Sequence, residues 1–407
     1  MEVETVLDFA ARCGLEPRDY QARIIAKAFD AFTVTKFKNV LIESPTGSGK
    51  SAMGLLLCKL LEEKYGYSFG WVAMRRKLLL QAAKENDRIG VKNIKFVSMF
   101  DKNAGKFDFM IIDESQHDAA ATMSDLHQDT AAKMSLGLTA TPFRTDRIKL
   151  SFDKIINDCG VRFLIEKGYL SQFERLVIPD WLPATVATRF LEDRERWGKS
   201  VIYMKDKELC YETQERLVAG GVKAAVMLGS QSNNERNELF EQFEDGDLQV
   251  LINVYLLSEG FDCPELKSVW VRDSGKLCSM QMSGRVLRKD PKNPAKIANI
   301  IQSQQTWYPY TKCAKAQREY LWESNQWRSI EPSELSEKIA QIVQDIILPV
   351  PVFLPPYLDF AGKTMIRVGK NGQVEVSKRR RKENVVLMPG DFVPDDFDNA
   401  DEEEYLE

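Results

Sequence analysis

The chain has 407 residues, 44% of them hydrophobic, which is enough for two or three domains with buried cores. It contains no run of about 18 apolar residues and no signal-peptide pattern at its acidic start, so we expect a cytoplasmic protein without a membrane span. The seven cysteines are scattered without a C-x-x-C pair, which argues against a structural zinc site and a disulfide framework.

The net charge of −4 is distributed unevenly along the chain. The segment Asp391–Glu407 holds nine acidic residues and no Lys or Arg, so the chain before it carries a net charge of +5. That surplus is compatible with a groove for nucleic acid but does not require one. We expect the acidic segment to be disordered, and to serve as a solvated tail, as a competitor for a basic groove, or as the site of a protein partner.

The first part of the chain predicts a parallel sheet covered by helices. Residues 1–38 read as helical, with Arg18-Asp19-Tyr20-Gln21 just before a helix over Ala22–Phe32. Helical stretches then alternate with short apolar runs typical of buried strands. These runs are Asn39–Glu43, Ser68–Ala73, Ile94–Ser98, Phe109–Ile112 and Ser135–Leu138.

A second alternating series begins near Trp181 and predicts a second α/β lobe. We place the linker between the lobes near residues 172–185, around Pro179 and Pro183. The helices of this series are predicted over Lys207–Ala219 and Asn234–Phe243. Its strands are predicted over Ser200–Met204, Val222–Met227, Leu248–Val254, Ser268–Val271 and Ile297–Ile301.

The last hundred residues form a predicted C-terminal extension with helical and hairpin parts. Residues 306–348 have a helical pattern. Beyond several prolines, Thr364–Val368 and Gln373–Ser377 flank Asn371-Gly372, which is a strong hairpin turn. The basic run 378–382 that follows is as compatible with a solvated strand end as with phosphate contact.

The run Ser44–Ser51, Ser-Pro-Thr-Gly-Ser-Gly-Lys-Ser, lies between an apolar strand and an apolar helix. Glycines let successive backbone N–H groups turn around an anion, so the run reads as a phosphate-binding loop rather than a plain Gly/Ser turn. Lys50 would reach the β- and γ-phosphates, and the Ser51 hydroxyl would bind Mg²⁺. The rest of the predicted phosphate cradle is Thr46, Gly47, Ser48 and Gly49.

The strand Phe109–Ile112 runs into Asp113-Glu114. A strand ending in adjacent carboxylates is the expected partner of a phosphate-binding loop, although a surface acidic pair would look the same. Asp113 would hold Mg²⁺ and Glu114 would polarise the attacking water as a general base.

At these residues the chain resembles the superfamily 2 helicases and translocases of the DExH/D type, over about residues 16–290. Further motifs occur in the order of that family. They are Arg18–Gln21, Trp71–Arg76, Thr139–Pro142, Asn253–Asp262 and Gln281–Arg288, the last reading Q-x-x-G-R-x-x-R. Tyr255 stands where relatives often carry Asp.

The resemblance implies a role for each matching residue. Arg18, Gln21, Gly260 and Asp262 would bind ATP, with Gln21 on the adenine edge. Thr139 and Thr141 would couple the ATP state to lobe closure. Gln281, Arg285 and Arg288 would act on the γ-phosphate from the other lobe. Contacts to nucleic acid would come from Arg75, Arg76, Ser98 and Asn253.

The implied fold is α/β, with two tandem RecA-like parallel-sheet lobes and a C-terminal helical/hairpin extension. We expect lobe 1 at 1–175, lobe 2 at 176–305, the extension at 306–390 and the acidic tail at 391–407. The implied cofactors are ATP and Mg²⁺.

Thr139-Ala140-Thr141-Pro142 followed by Phe143-Arg144 looks more like DNA-directed bacterial and phage members than RNA-directed ones. The leading hypothesis is therefore an ATP-dependent DNA helicase or translocase of a bacterial or phage-infected cell. It would unwind or branch-migrate forked or junction DNA in replication, repair or recombination, with single-stranded DNA as a further partner. The alternatives are an RNA helicase and a non-hydrolysing nucleic-acid adaptor, and the intact Lys50, Asp113, Glu114, Arg285 and Arg288 argue against the adaptor.

Overall fold

A computed structural model describes residues 1–101, 104–115, 126, 128–140, 152–258, 261, 263–330, 364–368 and 374–378. The chain divides into Met1–Ile330 and Glu331–Glu407. No helix within the described ranges is both long enough and apolar enough to cross a membrane.

The first sheet has six strands, all parallel, in the order β3-β2-β4-β5-β1-β6. Every residue of β2 and β4 is buried, as expected for strands covered on both faces by helices. The strands are β1 (Asn39–Glu43), β2 (Phe69–Ala73), β3 (Ile94–Ser98), β4 (Phe109–Asp113), β5 (Met134–Thr139) and β6 (Lys154–Asn157). The helices are α1 (Val3–Arg12), α2 (Asp19–Thr33), α3 (Lys50–Tyr65), α4 (Arg76–Ile89) and α5 (Val161–Glu166).

The strand order determines where the first lobe can carry a site. Strand β5 lies between β1, which leads into the phosphate-binding loop, and β4, which ends in Asp113. Parallel strands present their carboxyl ends at one edge of the sheet, so the three motifs that follow β1, β4 and β5 meet there.

The second sheet has eight strands in the order β14-β13-β7-β12-β11-β8-β10-β9, parallel except for the β13–β14 pair. Its core includes Phe190, Trp197 and Trp270, which lie between the sheet and its helices. The strands are β7 (Phe173–Ile178), β8 (Ser200–Tyr203), β9 (Ala224–Val226), β10 (Val250–Asn253), β11 (Ser268–Trp270), β12 (Ala298–Ser303), β13 (Arg318–Glu323) and β14 (Gln326–Ile330). The helices are α6 (Pro183–Glu192), α7 (Arg194–Trp197), α8 (Lys207–Ala219), α9 (Asn233–Asp245) and α10 (Lys276–Gly284).

The predicted linker at 172–185 was wrong in position. The chain crosses between the lobes at residues 167–172, because β7 already belongs to the second sheet from Phe173. Pro179 directly follows that strand, and Pro183 is the first residue of α6, where its missing N–H costs no hydrogen bond. The two prolines therefore bound regular elements within lobe 2.

The helical pattern predicted from residue 306 was also wrong as far as Ile330. Strands β13 and β14 form a hairpin at the edge of the second sheet, inside the stretch that we assigned to the extension. Its turn places Ser324 and Asn325 at positive φ, +51° and +60°, and Trp322 packs edge-on against Trp327 across the pair. Cross-strand aromatic contact and pairing to β7 outweigh the local pattern.

In the second unit, β15 (Thr364–Val368) and β16 (Val374–Lys378) pair antiparallel. The predicted hairpin strands are thus confirmed. The acidic tail, Thr141, Gly260 and Asp262 lie outside the described residues, so the roles proposed for them stay predictions.

Candidate ATP-binding cleft

The loop between β1 and α3 has the backbone that a phosphate cradle needs. Gly47 and Gly49 adopt positive φ values of +81° and +82°, which glycine reaches at little cost. Gly49 is also the N-cap of α3, so the first N–H groups of a sixteen-residue helix face the loop. The buried hydroxyl of Ser48 has no hydrogen-bond partner among the described residues.

Residues at the start of α2 hold this loop from one side. The Tyr20 hydroxyl and the Gln21 amide both donate to the carbonyl oxygen of Ser48, at 2.7 and 2.8 Å. The other end of the Gln21 amide accepts from the Arg18 backbone N–H at 2.8 Å. Gln21 therefore binds the phosphate loop itself, and its pairing with adenine stays a prediction.

Arg18 lies beside an aromatic residue that the sequence did not single out. Its guanidinium carbon is 4.5 Å from the centroid of the Tyr169 ring, and its Nη1 donates to the Tyr20 hydroxyl at 3.2 Å. Tyr169 follows α5 in the crossing between the lobes. A cation stacked on a ring at this position offers a flat platform for a nucleotide base.

Three charged side chains meet at the carboxyl edge of the first sheet. Burial lowers the pKa of Lys50, and the carboxylates of Glu114 and Asp113 act against that shift. Burial, followed by the charge of Glu114, raises the pKa of Asp113 above its usual range, and Lys50 opposes that change. The Lys50 ammonium donates to the Ser44 and Pro45 carbonyls at 3.2 and 3.5 Å.

Glu114 has a backbone conformation that is rare for a residue with a side chain. Its φ is +52°, directly after β4 ends at Asp113. A positive φ breaks the strand alternation, so that two adjacent carboxylates both act on Lys50 instead of pointing to opposite faces. The backbone N–H of Glu114 donates to Asp113 Oδ1 at 3.0 Å and fixes that turn.

The residues fit the Mg²⁺ that the sequence predicts. Asp113 and Ser51 are oxygen donors of the kind that this ion prefers, and Ser51 lies in the first turn of α3. A divalent cation would favour the ionised form of Asp113, against the burial and the Glu114 charge that raise the pKa of this carboxyl.

The second lobe places both predicted arginine fingers near this edge. The guanidinium charges of Arg285 and Arg288 lower the pKa of Lys50, after the larger effects already given. Arg285 is buried and its Nη1 donates to the Phe261 carbonyl at 3.2 Å. A Cβ added at Gly47 would lie 3.5 Å from Cγ of Arg288. Lobe 2 therefore contacts the tip of the phosphate loop.

The crossing between the lobes is bonded directly to the arginine segment. Ser171, fully buried, donates its backbone N–H to the Leu287 carbonyl at 2.7 Å and its hydroxyl to the Arg288 carbonyl at 3.3 Å. Leu170 packs near Gly47, 3.0 Å from where a Cβ would be. A change in the angle between the lobes would therefore move Arg288 relative to the loop.

A cavity of about 250 Å³ opens between the lobes beside the phosphate loop. Thr46 and Glu43 line it from lobe 1, and Gln281, Gly284 and Lys276 line it from lobe 2. Burial raises the pKa of Glu43. The hydrogen bond of Glu43 with Asn157 and the charge of Lys276 act in the opposite direction. Glu43 of lobe 1 and Lys276 of lobe 2 thus interact electrostatically across the cleft.

The predicted coupling residue Thr139 is buried at the end of β5, and its carbonyl accepts from the Ser44 N–H at 2.9 Å. This bond joins the end of β5 to the first residue of the phosphate loop. The coupling role of Thr139 stays a prediction.

The residues predicted to bind nucleic acid divide into two groups. Arg75, Arg76 and Ser98 lie at the carboxyl ends of β2 and β3, where Arg76 is exposed. Asn253 is fully buried, and its Oδ1 accepts from the Leu257 N–H at 3.2 Å. The Asn253 side chain caps its own turn, and its contact with nucleic acid stays a prediction.

Two residues near this edge were missed as functional candidates. Arg236 of α9 lies close enough to Arg75 for that guanidinium to lower its pKa, after the larger effect of burial. The Tyr255 hydroxyl donates to Oε1 of Gln281. Arg236 had one signal, a lone arginine in an otherwise acidic helix, and Tyr255 had only its departure from relatives.

Two family profiles match the chain, one on each lobe. The profile described as "Type III restriction enzyme, res subunit" matches residues 14–104. The profile described as "Helicase conserved C-terminal domain" matches residues 183–290.

Curated relatives include proteins of phages and archaea. A "51.5 kDa protein" of Lactococcus phage (isolate 7-9) is 26% identical over 305 residues, which cover 66% of this chain and 66% of the phage protein. The chain thus spans about two thirds of that protein's length. The "DNA 3'-5' translocase XPB2" of Sulfurisphaera tokodaii is 22% identical over 361 residues, covering 68% of this chain and 80% of the translocase.

Among solved structures, S. cerevisiae Dbp5 bound to RNA and ADP BeF3 aligns with a TM-score of 0.54 at 14% identity, covering 84% of this chain and 96% of Dbp5. This likeness shows the fold, two RecA-like lobes in tandem, and confirms the predicted fold class. A helicase profile matches the second lobe and a restriction-subunit profile matches the first, which confirms the predicted resemblance of the chain to the superfamily 2 helicases and translocases.

Proposed function

We propose that this protein is an ATP-dependent DNA translocase or helicase that acts on forked or junction DNA in replication, repair or recombination. The observation that carries the proposal is the cleft, in which Lys50, Asp113 and Glu114 of one lobe lie near Arg285 and Arg288 of the other. A site divided between two lobes can link the hydrolysis of ATP to movement. We place the protein in the cytoplasm of a bacterial or phage-infected cell.

Each side chain has a distinct task in the proposed reaction. Glu114 accepts a proton from the attacking water. Its backbone turn, at a φ of +52°, directs the carboxylate to the same edge as Lys50. Lys50 and the N–H groups at the start of α3 bind the phosphates. Mg²⁺, held by Asp113 and Ser51, would neutralise charge on the phosphate oxygens. Arg285 and Arg288 stabilise the charge that develops on the transferred phosphoryl group.

Movement follows from how the lobes are joined. Hydrolysis needs Arg285 and Arg288 near the loop, and Ser171 in the crossing is bonded to the backbone of that same segment. Closing the lobes therefore completes the site, and loss of the γ-phosphate removes the anion that held it closed. Repeated closing and opening would shift Arg75 of lobe 1 and Arg236 of lobe 2 relative to each other. Each cycle would thereby move the protein along a bound strand.

Three observations support DNA as the substrate. The sequence after β5 resembles DNA-directed members, the profile on lobe 1 is that of a restriction-enzyme subunit, and one relative is named a DNA translocase. RNA is the second candidate, favoured by the aligned structure of Dbp5 bound to RNA. The third candidate is a nucleic-acid adaptor that does not hydrolyse ATP. The complete set of charged groups in the cleft argues against it. The acidic tail is proposed to compete for the basic surface or to recruit a protein partner.

The proposal is tested by phosphate release from ATP with single-stranded DNA, forked DNA, a four-way DNA junction or single-stranded RNA. We expect at least tenfold stimulation by one of the DNA substrates and weaker stimulation by RNA. Glu114→Gln is the matched inactive enzyme, because it keeps the size of the side chain and removes the base. Stimulation by RNA alone would establish the second candidate, and a wild-type rate equal to that of Glu114→Gln would refute hydrolysis.

A further inference from the structure

The turn that follows β10 lies between the surface of the first sheet and the ATP cleft. It comprises Asn253, Val254, Tyr255 and the 3-10 turn Leu256–Ser258. The Asn253 side chain accepts from the Leu257 N–H at 3.2 Å, which fixes the turn to the end of its own strand. The turn is therefore a defined element, and it makes a side-chain contact on each of its two sides.

On the side of lobe 1, Arg75 holds the turn. Its Nη1 donates to the Leu256 carbonyl at 3.1 Å across the boundary between the lobes. Arg75 is the N-cap of α4, and its guanidinium charge lowers the pKa of Arg236 on lobe 2, after the larger effect of burial. Two neighbouring guanidinium groups from different lobes favour an anion between them, as a backbone phosphate would be.

On the side of the cleft, Tyr255 holds Gln281. The phenol hydroxyl donates to Oε1 of the Gln281 amide. Gln281 is 4% exposed, and it lines the cleft cavity together with Thr46 and Gly284. A buried amide near a triphosphate has two orientations, and only the one that presents its N–H₂ group stabilises an anion. The phenol bond selects the orientation in which the carbonyl oxygen is turned to Tyr255.

We propose that Tyr255 is a positioning residue that orients the Gln281 amide for ATP hydrolysis and links it to the surface where Arg75 binds the nucleic-acid backbone. The inference rests on the proposed function and deepens it, because it assigns a coupling role to a residue at which relatives often carry Asp. Tyr255 itself need not touch the nucleotide. Tyr255 affects the reaction through Gln281. The 3-10 turn next to Tyr255 transmits changes in the position of Arg75 to it.

The role predicts a specific kinetic pattern for Tyr255→Phe, which removes only the hydroxyl. We expect the nucleic-acid-stimulated kcat to fall about tenfold, because the Tyr255 hydroxyl no longer helps to fix the orientation of the Gln281 amide. The KM for ATP and the Kd for DNA should stay within about twofold, since neither the phosphate loop nor Arg75 is altered. The matched control is Tyr211→Phe, at an exposed position on α8, which should equal the wild type in every measurement.

A double-mutant cycle separates positioning from a general loss of structure. If Tyr255 acts through Gln281, the double variant Tyr255→Phe with Gln281→Ala should have the same kcat as Gln281→Ala alone, within about twofold. Gln281→Glu keeps an acceptor for the phenol but loses the donor, so it should be at least as slow as Gln281→Ala. Equal melting temperatures for wild type and Tyr255→Phe would confirm that the kinetic loss is local.

The results that overturn the inference differ from those that overturn the proposed function. A Tyr255→Phe enzyme with the wild-type stimulated kcat, or a double variant whose losses multiply, refutes the positioning role alone. A fully active Gln281→Glu refutes the argument about amide orientation. A wild-type protein without any nucleic-acid-stimulated hydrolysis refutes the proposed function, and this inference with it.

Discussion

Gly49→Ala tests how the phosphate loop is held. Gly49 has a φ of +82°, and a Cβ built there would lie 2.5 Å from Nε2 of Gln21. That nitrogen donates to the Ser48 carbonyl at 2.8 Å, so the new methyl group would force the amide away from the loop. The substitution therefore combines a backbone cost with the loss of one contact that positions the cradle.

The two costs can be given separate magnitudes. A residue with a Cβ in the left-handed region costs about 1–2 kcal/mol. The lost hydrogen bond between Gln21 and Ser48 contributes about 1 kcal/mol more. We expect Gly49→Ala to lower the free energy of unfolding by roughly 2–3 kcal/mol, and the KM for ATP to rise about fivefold if a further ~1 kcal/mol of phosphate binding is lost.

Gly66→Ala is the matched control, because Gly66 ends the same helix with a φ of +69° and a Cβ added there would meet no atom within 4 Å. It should show only the backbone cost and a normal KM. In a Gln21→Ala background, Gly49→Ala should cost no more than Gly66→Ala. Chemical denaturation and steady-state ATPase kinetics measure both quantities. If Gly49→Ala and Gly66→Ala are equally destabilising and equally active with ATP, the contact between Gln21 and the loop has no role.

Three further outcomes are expected. Arg285→Gln should lower the stimulated kcat by about 10³-fold or more while nucleotide binding persists, since its charge acts on the transferred phosphoryl group; a loss below tenfold would remove Arg285 from the reaction. Arg75→Ala should weaken DNA binding and reduce the slope of log K against log salt by about 1, which fluorescence anisotropy at several salt concentrations measures, and an unchanged slope would contradict a phosphate contact. Burial lowers the pKa of Lys296 to about 8, so between pH 8 and the higher pKa of an unfolded lysine the unfolded chain holds more protons, and stability rises with pH. Relative to Lys296→Met, the wild type should gain about 2 kcal/mol in free energy of unfolding from pH 7.5 to 9.5, and a constant difference would refute the shifted pKa.

Most strands of the first sheet could be predicted from the sequence almost to the residue. Asn39–Glu43 and Ile94–Ser98 have the predicted bounds, and Phe109–Ile112 extends by one residue to Asp113. Parallel strands between two layers of helices need continuous apolar runs, so their signal is local. The hairpin at β13 and β14 gave no such signal, because its stability comes from pairing to β7, about 145 residues earlier in the chain, and from Trp322 against Trp327.

Lys50, Asp113 and Glu114 could be singled out from the sequence because each lies in the segment that directly follows a strand of the first sheet. Contacts between residues that are distant in sequence could not, and those of Tyr169 with Arg18, Arg236 with Arg75 and Tyr255 with Gln281 belong to that group. Asn253 shows what a motif alone does not reveal. Its position in a motif predicts a contact with nucleic acid, and the structure adds that its buried side chain accepts a hydrogen bond from the Leu257 N–H.

The contacts of the phosphate loop explain why nucleotide binding and lobe movement depend on one another. Its start is bonded to the end of β5 through Ser44 and Thr139, and its Ser48 carbonyl is bonded to α2. Its tip, Thr46 and Gly47, instead packs against lobe 2, where a Cβ at Gly284 would lie 3.6 Å from Cβ of Thr46. The loop is therefore fixed to lobe 1 on both sides of its tip, at Ser44 and at Ser48, while the tip is in contact with the segment that carries Arg285 and Arg288. A loop this short cannot change at the tip without changing the positions of the N–H groups around the phosphates. Any shift of lobe 2 therefore alters the affinity for ATP. By the same coupling free energy, the binding of ATP alters the position of lobe 2.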